Sequence, residues 1–348
     1  MRGHSQSLIA PAAGFPRKTE TCHFIISKDH TMFATTLPST APKTLPKMVP
    51  ASRKPSPRVS ESAPRQDIYT TVTNRIIADL EAGIAPWARP WKSGPNDSAA
   101  MPRNAATGRQ YSGINVLILW TAAQAMGFTS SRWLTFNQAR DAGGNVRKGE
   151  KGTAIVYAST FVPEAERAKG DDAKSVAFLK TFTVFNLDQI DGLDALRVND
   201  VPRTECETVA AGEALIAAQG IEIRHGGDSA YYAPAQDIIA IPHHAAFHDH
   251  INYYRTAFHE LGHATGHKSR LDRRILNEFG SKLYAVEELV AEMTSAFVCA
   301  SLGIIPTVRH ADYIGAWLSV LREDNRAVFR AASAASKAAD WLLSQGEG

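Results

Sequence analysis

The 348-residue sequence has few cysteines and no long hydrophobic run, and each absence excludes a class of protein. Its three cysteines, Cys22, Cys206 and Cys299, form no C-x-x-C pair. They therefore exclude a disulfide framework and a thiolate zinc site, and are typical of a reducing compartment. The longest apolar stretches, such as residues 116–120, are far shorter than the roughly 18 residues of a membrane span. We therefore expect a cytoplasmic protein with no membrane partner.

Charge is distributed unevenly along the chain. Basic residues exceed acidic ones by 7 in residues 1–65 and by 4 in residues 66–186, whereas acidic residues exceed basic ones by 8 in residues 187–348. A basic front and an acidic back indicate two parts with different partners, of which the front is the one suited to a polyanion such as nucleic acid. The same asymmetry is expected if charge only keeps both parts in solution.

Composition divides the chain into four segments. Residues 1–65 hold 9 of the 18 prolines and no sustained apolar period, which predicts a disordered basic tail. Residues 66–190 combine helix and strand signals, and residues 205–348 are mainly helical. Residues 191–204 have few large apolar side chains and are predicted to be a linker. The expected fold is therefore α+β with two domains, the second mainly helical.

Periodic patterns predict the main elements of the front domain. Apolar residues recur every four positions from Ile68 to Leu80, which predicts an amphipathic helix that ends near Gly83. The runs 153–162 and 176–185 are rich in β-branched and aromatic residues and predict two paired strands.

The motif His259-Glu260-Leu261-Gly262-His263 carries the most chemical information in the sequence. Two histidines four apart on a helix lie on one face, so both imidazoles reach one metal ion, with Glu260 beside it as the general base. The motif therefore predicts a zinc site with His259 and His263 as ligands. Mn²⁺ and Co²⁺ are alternatives, because a site of two histidines and one carboxylate accepts several metals.

Two positions are candidates for the third ligand. His267 follows the motif, but the extended pattern H-E-x-x-H-x-x-G-x-x-H needs its third histidine where this sequence has Ser269. Residues 285–292 form a helical segment with Glu288 and Glu292 one turn apart on one face, which resembles the gluzincin metallopeptidases. The resemblance implies that Glu288 is the ligand and Glu292 orients a ligating histidine, with the reverse assignment as the alternative. Without a metal, these glutamates would be a solvated helix face.

The β-rich run 230–241 is expected to border the same site, since an edge strand commonly holds an extended peptide substrate. Tyr231 or Tyr232 is then a candidate donor to an oxyanion, although packing tyrosines are commoner. Other histidines upstream of the motif share no common face. We predict that they are surface residues near the mouth of the site: His243, His244, His248 and His250.

Tryptophans and basic residues are interleaved in the front domain. This composition is typical of a single-strand binder, because aromatic rings stack on unpaired bases and cations contact phosphates. Any one of these tryptophans is a core residue as often as not. The candidate DNA-contacting residues are Trp87, Trp91, Arg103, Arg109, Trp133, Lys148 and Lys151.

Ordered motifs in both domains resemble one family, the plasmid antirestriction protein ArdC family. The resemblance covers about residues 66–345 and leaves out the proline-rich tail. It implies that the front domain binds single-stranded DNA, that DNA entering a new host by conjugation is protected against restriction enzymes, and that the back domain is zincin-like. The motifs that carry it are Pro86-Trp87-x-x-Pro90-Trp91, Trp133-Leu134-Thr135-Phe136-Asn137-Gln138-Ala139, Lys148-Gly149-Glu150-Lys151-Gly152, Tyr231-Tyr232-x-Pro234 and Tyr284-Ala285-x-Glu287-Glu288-Leu289-Val290-Ala291-Glu292.

Three functional hypotheses remain open at this point. The first is a single-stranded-DNA-binding antirestriction protein whose metal domain is structural or regulatory. The second is a zinc endopeptidase that acts on a host defence protein, with a restriction enzyme among the candidate partners. The third is an interaction module with neither activity. DNA binding that survives loss of Glu260 favours the first, and activity that depends on Glu260 favours the second.

Overall fold

A computed structural model describes residues 67–87, 100–161, 164, 176–196, 204–275, 280–305 and 313–346. The predicted tail, residues 1–65, lies outside the described residues, as do Trp91 and residues 197–203 of the predicted linker. The described residues form an α+β protein with sheets in the front domain and a mainly helical back domain.

The strands of the front domain form two sheets. The larger has the order β1-β2-β5-β4, with β1 parallel to β2 and the other pairs antiparallel. The smaller pairs β3 with β6. The strands are β1 (Arg103–Asn104), β2 (Arg132–Thr135), β3 (Asn145–Val146), β4 (Thr153–Phe161), β5 (Val176–Asn186) and β6 (Ile190–Asp191). The two β-rich runs of the sequence are therefore confirmed as a strand pair.

The front domain has three helices among the described residues, and local signals set their ends. Helix α1 (Ile68–Glu81) begins after Asp67, whose side chain accepts a hydrogen bond from the Tyr69 amide. Helix α2 (Ile114–Met126) ends at a left-handed glycine. Helix α3 (Phe136–Asp141) begins with a capping box between Thr135 and Gln138.

The back domain places a small sheet beside a group of helices. Its strands are β7 (Glu222–His225), β8 (Tyr231–Ala233) and β9 (Ile238–Ile241), in the order β7-β9-β8, so β8 is an edge strand. Its helices are α4 (Glu205–Ala218), α5 (Ile251–Ala264), α6 (Lys282–Leu302), α7 (Ile314–Glu323) and α8 (Ala327–Gln345). None of the described helices combines the length and apolarity that a membrane crossing requires.

Residues of both domains contribute to one hydrophobic core. Trp87 from the front packs edge-on against Trp317 of α7, with ring centroids 5.3 Å apart. Trp120 of α2 lies 5.7 Å from Phe297 of α6. The residues from Ser62 to Gly348 accordingly belong to one unit of the chain.

Candidate metal centre and aromatic surface

Two adjacent helices bring three metal-ligating side chains together. Helix α5 carries His259 and His263, whose Nε2 atoms are 3.2 Å apart, and α6 carries Glu288. One Glu288 oxygen lies 3.4 Å from His259 Nε2, and the other lies 3.5 Å from His263 Nε2. A tetrahedral zinc ion with ligand distances of about 2.0–2.2 Å requires its ligand atoms to be about 3.3–3.5 Å apart. This donor set therefore fits a tetrahedral metal ion.

The helices approach closely enough because Gly262 has no side chain. A Cβ atom at Gly262 would lie 3.2 Å from the Ala291 Cα and 3.3 Å from the Thr294 Cβ. Any larger residue would push α5 away from α6. The glycine within the motif therefore helps to hold the two histidines within reach of Glu288.

A buried carboxylate orients His259 from behind. Glu292 Oε1 lies 3.3 Å from His259 Nδ1, and Arg255 Nη2 donates to Glu292 Oε2 at 2.7 Å. The Glu292 side chain is 1% exposed, and that of Arg255 is 9% exposed. This arrangement directs the Nε2 atom of His259 towards the metal position, which is the role that the sequence assigned to Glu292.

A second carboxylate, missed by the sequence analysis, supports His263 in the same way. Glu287 Oε1 lies 3.4 Å from His263 Nδ1 and accepts a hydrogen bond from Arg273 Nη2 at 2.8 Å. Arg273 also donates to the Gly262 carbonyl at 2.7 Å and to Thr265 Oγ1 at 2.7 Å. The sequence signal for this role was the pair of adjacent glutamates, Glu287 and Glu288, of which the sequence analysis gave a role only to Glu288.

The carboxylates set the protonation of the two histidines. Burial by itself lowers the pKa of an imidazole, but hydrogen bonds to Glu288 and Glu292 outweigh it and hold the pKa of His259 well above 6.5. The pKa of His263 is likewise raised, through Glu287 and Glu288. Burial opposes ionisation of Glu288, yet hydrogen bonds from both histidines lower its pKa. The site therefore favours positive charge, in the form of protons or a metal ion.

The metal position opens into a cleft of about 730 Å³. Glu260, 6% exposed, lines this cleft together with both histidines of the motif and Glu288. The edge strand β8 borders it through Tyr231 and Tyr232. The sequence-based expectation that residues 230–241 border the site agrees with this arrangement.

Three tyrosines near the site make different contacts. Tyr231 is 55% exposed and lines the cleft. The Tyr232 hydroxyl instead donates to Asp237 Oδ1 at 2.6 Å and accepts from Arg270, so it is engaged in packing. Tyr284, which the sequence analysis did not select, lines the cleft and has a raised pKa because of burial and its hydrogen bonds to Tyr313 and Glu288. Its position one turn before Glu288 was the signal for it.

The other histidines do not join this centre. The His267 ring accepts from or donates to Ser269 Oγ at 2.7 Å, so the alternative third ligand points elsewhere. His243, His248 and His250 are exposed as predicted, and His244 is half-buried against the Tyr253 ring. Among the described residues, only His259, His263 and Glu288 form a group with metal-ligand geometry.

The described tryptophans of the DNA prediction lie in the core. Trp87 is 5% exposed and packs on Trp317, and Trp133 is 1% exposed and lies 5.8 Å from the Phe128 ring. A ring enclosed on all sides offers no face to a base. This burial corrects the sequence-based assignment of base stacking to Trp87 and Trp133.

Other aromatic rings in the front domain are exposed instead. We define the aromatic surface as Tyr157 and Phe182, whose exposed fractions are 55% and 44%. Phe136 is 51% exposed but contacts Phe185, which lies on the opposite face of β5 from Phe182. The Tyr157 and Phe182 rings are 6.1 Å apart on the β4–β5 pair, and Lys180 lies opposite Tyr157 in register. The sequence analysis missed these residues. Strand alternation places them on the same face as the buried Ile155 and Val184, so alternation alone does not mark them as exposed.

The basic candidates are arranged around the front-domain sheets. Arg109, Lys148 and Lys151 are exposed, and Arg103 is half-buried on β1. Lys151 lies two residues before β4, which carries Tyr157. Exposed cations therefore lie in the loop that leads into the strand pair of the aromatic surface.

Family models match both halves of the chain. Residues 66–185 match the N-terminal domain of anti-restriction factor ArdC, and residues 210–334 match a zincin-like metallopeptidase. These matches agree with the resemblance seen in the sequence.

Similar proteins and structures agree with these models. The chain is 41% identical over 288 residues to the uncharacterized protein y4eC of Sinorhizobium fredii. The match covers 80% of this chain and 92% of that protein. It is also 41% identical over 300 residues to a DNA primase TraC of Escherichia coli, but spans only 20% of that protein's length. The crystal structure of metal-free antirestriction ArdC from plasmid R388 matches with a TM-score of 0.68, 41% identity and coverage of 81% of this chain and 98% of that one. The Mn(II)-bound structure of the same ArdC protein matches with a TM-score of 0.66 and 40% identity, and the match covers 80% of this chain and 98% of that one.

Proposed function

This chain belongs to the ArdC antirestriction family, and from that premise we propose that it binds single-stranded DNA and protects DNA entering a new host against restriction enzymes. The protein acts in the cytoplasm of that host. Single-stranded DNA is its principal partner, and the observation that carries the proposal is the aromatic surface of the front domain. Two large rings exposed side by side on one strand pair are unusual for a side-chain class that normally supplies core contacts.

The aromatic surface has the chemistry that single-strand binding requires. Stacking of a base on an aromatic ring is worth about 1–3 kcal/mol and tolerates any base. Lys148 and Lys151 are exposed in the loop before β4, where they would contact the phosphates of a strand whose bases stack on Tyr157 and Phe182. Duplex DNA hides its base faces, so we expect a preference for single strands.

An anisotropy titration of fluorescein-labelled oligothymidylate and duplex DNA across a salt series tests this proposal. We expect tighter binding of the single strand, and a loss of about tenfold or more for Tyr157→Ala/Phe182→Ala. Tyr231→Ala removes an equally exposed tyrosine from the back domain and serves as the matched control. Equal affinity for both DNA forms, or equal affinity of both variants, would overturn the proposal.

The metal centre supports a second candidate function, a metal-dependent endopeptidase acting on a protein such as a host defence protein or a restriction enzyme. His259, His263 and Glu288 would hold the ion, with zinc as the expected metal and Mn²⁺ or Co²⁺ as alternatives. When bound, the ion supplies Lewis-acid activation of water and of the scissile carbonyl.

The chain's own residues supply the remaining chemistry of peptide hydrolysis. Glu260 lies in the cleft as the group that accepts a proton from the attacking water and returns it to the leaving amine. The edge strand β8 has an open side for main-chain hydrogen bonds to an extended peptide. Tyr284 and Tyr231 line the cleft as hydroxyl donors for the carbonyl oxygen.

Glu260→Gln distinguishes the two functions. We expect the variant to keep its metal, measured by mass spectrometry of the purified protein, and to keep its affinity for single-stranded DNA. Cleavage of a mixed peptide library by the wild-type protein, lost in Glu260→Gln, supports the endopeptidase. Cleavage that persists in the variant assigns the activity to another protein and removes this second candidate.

A further inference from the structure

A second cleft, away from the metal centre, is lined with basic side chains. It has a volume of about 680 Å³ and shares no lining residue with the cleft over the metal position. We call it the basic pocket, and its polar and aromatic lining residues are Tyr69, Arg273, Arg326, Phe329, Arg330, Ser333 and Lys337. Four of its lining residues are cationic and none is acidic, although residues 187–348 have 8 more acidic than basic residues.

Two of the four cations are neutralised by neighbouring carboxylates. Arg273 is paired with Glu287, and Arg330 is paired with Asp324. Arg326 and Lys337 form no ion pair within the part of the chain that the structure describes. The basic pocket therefore keeps an uncompensated positive charge of about two, which favours an anionic ligand.

The cations are spaced to follow a chain of phosphates. Arg326, Arg330, Ser333 and Lys337 lie three or four residues apart, so they share one face at the start of α8. At 1.5 Å per residue this row is about 16 Å long. A row of that length reaches more than one phosphate of a nucleic-acid strand, and Ser333 adds a hydroxyl donor.

Aromatic rings complete the pocket. The Tyr69 and Phe329 rings meet edge-on with centroids 4.7 Å apart, and the Arg326 guanidinium lies 4.7 Å from the centre of the Tyr69 ring. Cations beside half-buried rings bind the phosphate and the base of the same ligand. A simple inorganic anion would use the charges but not the rings.

We propose that the basic pocket binds a nucleotide unit, with Arg326 contacting its phosphate and the Tyr69–Phe329 pair contacting its base. Lys337, three turns further along α8, contacts the next phosphate when the unit is part of a strand. The unit is either a free nucleotide or part of a single strand. In the second case the inference rests on the proposed function and extends the DNA contact from the aromatic surface to the metallopeptidase-like domain.

The test uses the full chain and the double variant Arg326→Gln/Lys337→Gln. The control variant Arg224→Gln/Lys282→Gln removes the same charge from two exposed sites, with side chains 61% and 65% exposed. Calorimetric titrations with thymidine 5′-monophosphate, inorganic phosphate and thymidine measure free ligands. Anisotropy with fluorescein-labelled dodecathymidylate across a salt series measures strand binding. The single variant Lys337→Gln repeats each measurement without changing the residue that precedes α8.

We expect the monophosphate to bind more tightly than phosphate or thymidine alone, and the double variant to weaken monophosphate binding at least tenfold relative to the control. If the ligand is a strand, we expect the double variant to lower the slope of log affinity against log salt by about 1.4, or 0.7 per lost phosphate contact. Either change supports the proposal. If both ligands bind the pocket variants and the control equally, the proposal is overturned.

The aromatic-surface variant separates this inference from the proposed function. In one outcome, Tyr157→Ala/Phe182→Ala loses strand binding, and Arg326→Gln/Lys337→Gln binds both the strand and the monophosphate as the control does. That outcome keeps the proposed function and rejects the basic pocket. Monophosphate binding that is lost in Arg326→Gln/Lys337→Gln, in a protein with no preference for single strands, keeps the pocket and rejects the proposed function.

Discussion

Arg255 and Glu292 form a buried ion pair behind the metal centre, with the Arg255 Nη2 atom 2.7 Å from Glu292 Oε2. Glu292 uses its other oxygen to hold His259 Nδ1 at 3.3 Å. Arg255 precedes His259 by one turn of α5, so one helix supplies both the ligand and the cation that fixes the ligand's support. The ion pair therefore links the stability of the protein to the orientation of a metal ligand.

Glu292→Gln should weaken metal binding without abolishing it. The amide keeps the shape of the side chain but leaves the Arg255 charge uncompensated in the interior. We expect metal affinity to fall about 10–100-fold, as for other residues that support a ligand from behind. We also expect the free energy of unfolding to fall by about 3 kcal/mol. Competition with a chelator and urea denaturation measure the two effects, with Glu323→Gln on α7 as an exposed control.

Glu288→Gln should have a larger effect on metal binding than either neighbouring change. Glu288 faces both Nε2 atoms, whereas Glu287 and Glu292 each face a Nδ1 atom on the far side of one ring. We therefore expect no measurable metal at equimolar concentration for Glu288→Gln, and a partial loss for Glu287→Gln. The same chelator competition ranks the variants. Complete loss in Glu292→Gln with retention in Glu288→Gln would reverse the ligand assignment.

Trp87→Ala should destabilise the protein rather than reduce its intrinsic DNA affinity. The indole is buried against Trp317, so truncation leaves a cavity and costs about 3–5 kcal/mol of unfolding free energy. We expect Phe182→Ala, at an exposed position, to show the opposite pattern: a small change in stability and weaker binding of single strands. Urea denaturation and anisotropy at a temperature where both variants are folded measure the two effects. Weak DNA binding by fully folded Trp87→Ala would contradict the core role.

Local patterns in the sequence selected the residues that the structure brings together at the candidate metal centre. The four-residue spacing of His259 and His263 fixes a common helix face, and the glutamates about 25 residues later lie on one face of the next helix. Helix geometry dictates both one-turn relationships. The choice of Glu288 over Glu292 as the ligand was instead implied by the resemblance to the gluzincins. The contacts behind the ligands were harder to predict, since Arg273 reaches Glu287 from a loop that has no regular period.

The tryptophans show where sequence patterns are insufficient. Trp87 is buried because Trp317 and its helix cover it, and those residues are more than 200 positions away in the chain. A pattern of aromatic and basic residues is the same whether the rings face solvent or the core. Strand alternation places Tyr157 and Phe182 on a common face, but Ile155 and Val184 on that same face are buried, so only tertiary packing determines which part of the face is exposed.

Asp237→Asn should destabilise the protein at neutral pH and have less effect in acid. Asp237 pairs with Arg270, and the hydrogen bond from Arg270 lowers the pKa of this carboxyl to about 2. A depressed pKa means that the stabilisation is present above about pH 4 and is lost as the pH falls towards 2. Asparagine tolerates the left-handed backbone at this position, where φ is 55°, so the change removes charge and little else.

We expect Asp237→Asn to lose about 1 kcal/mol of unfolding free energy at pH 7. The Arg270 side chain, 10% exposed, loses its charged partner, but the Asp237 side chain is 35% exposed and solvent screens the pair. The difference from wild type should narrow below pH 4. Urea denaturation at a series of pH values measures it. Asp228→Asn near the same sheet provides an exposed control. A difference that is constant down to pH 3 would show that the ion pair is not its source.

Gly262→Ala should damage the metal centre more than its effect on stability suggests. Alanine is the better helix former by about 1 kcal/mol, which favours the variant. The new methyl group, however, would lie 3.2 Å from the Ala291 backbone and must push α5 away from α6. Overpacking of this kind costs about 1–3 kcal/mol, so the net change is a loss of about 0–2 kcal/mol in the unfolding free energy. The displacement remains, and it moves His259 and His263 away from Glu288.

We therefore expect Gly262→Ala to lose metal affinity by tenfold or more with a small change in stability. Gly315→Ala in α7, where an added Cβ meets nothing within 4 Å, is the matched control and should retain its metal. Wild-type metal affinity in Gly262→Ala would show that the spacing of the two helices is not what holds the ligands together.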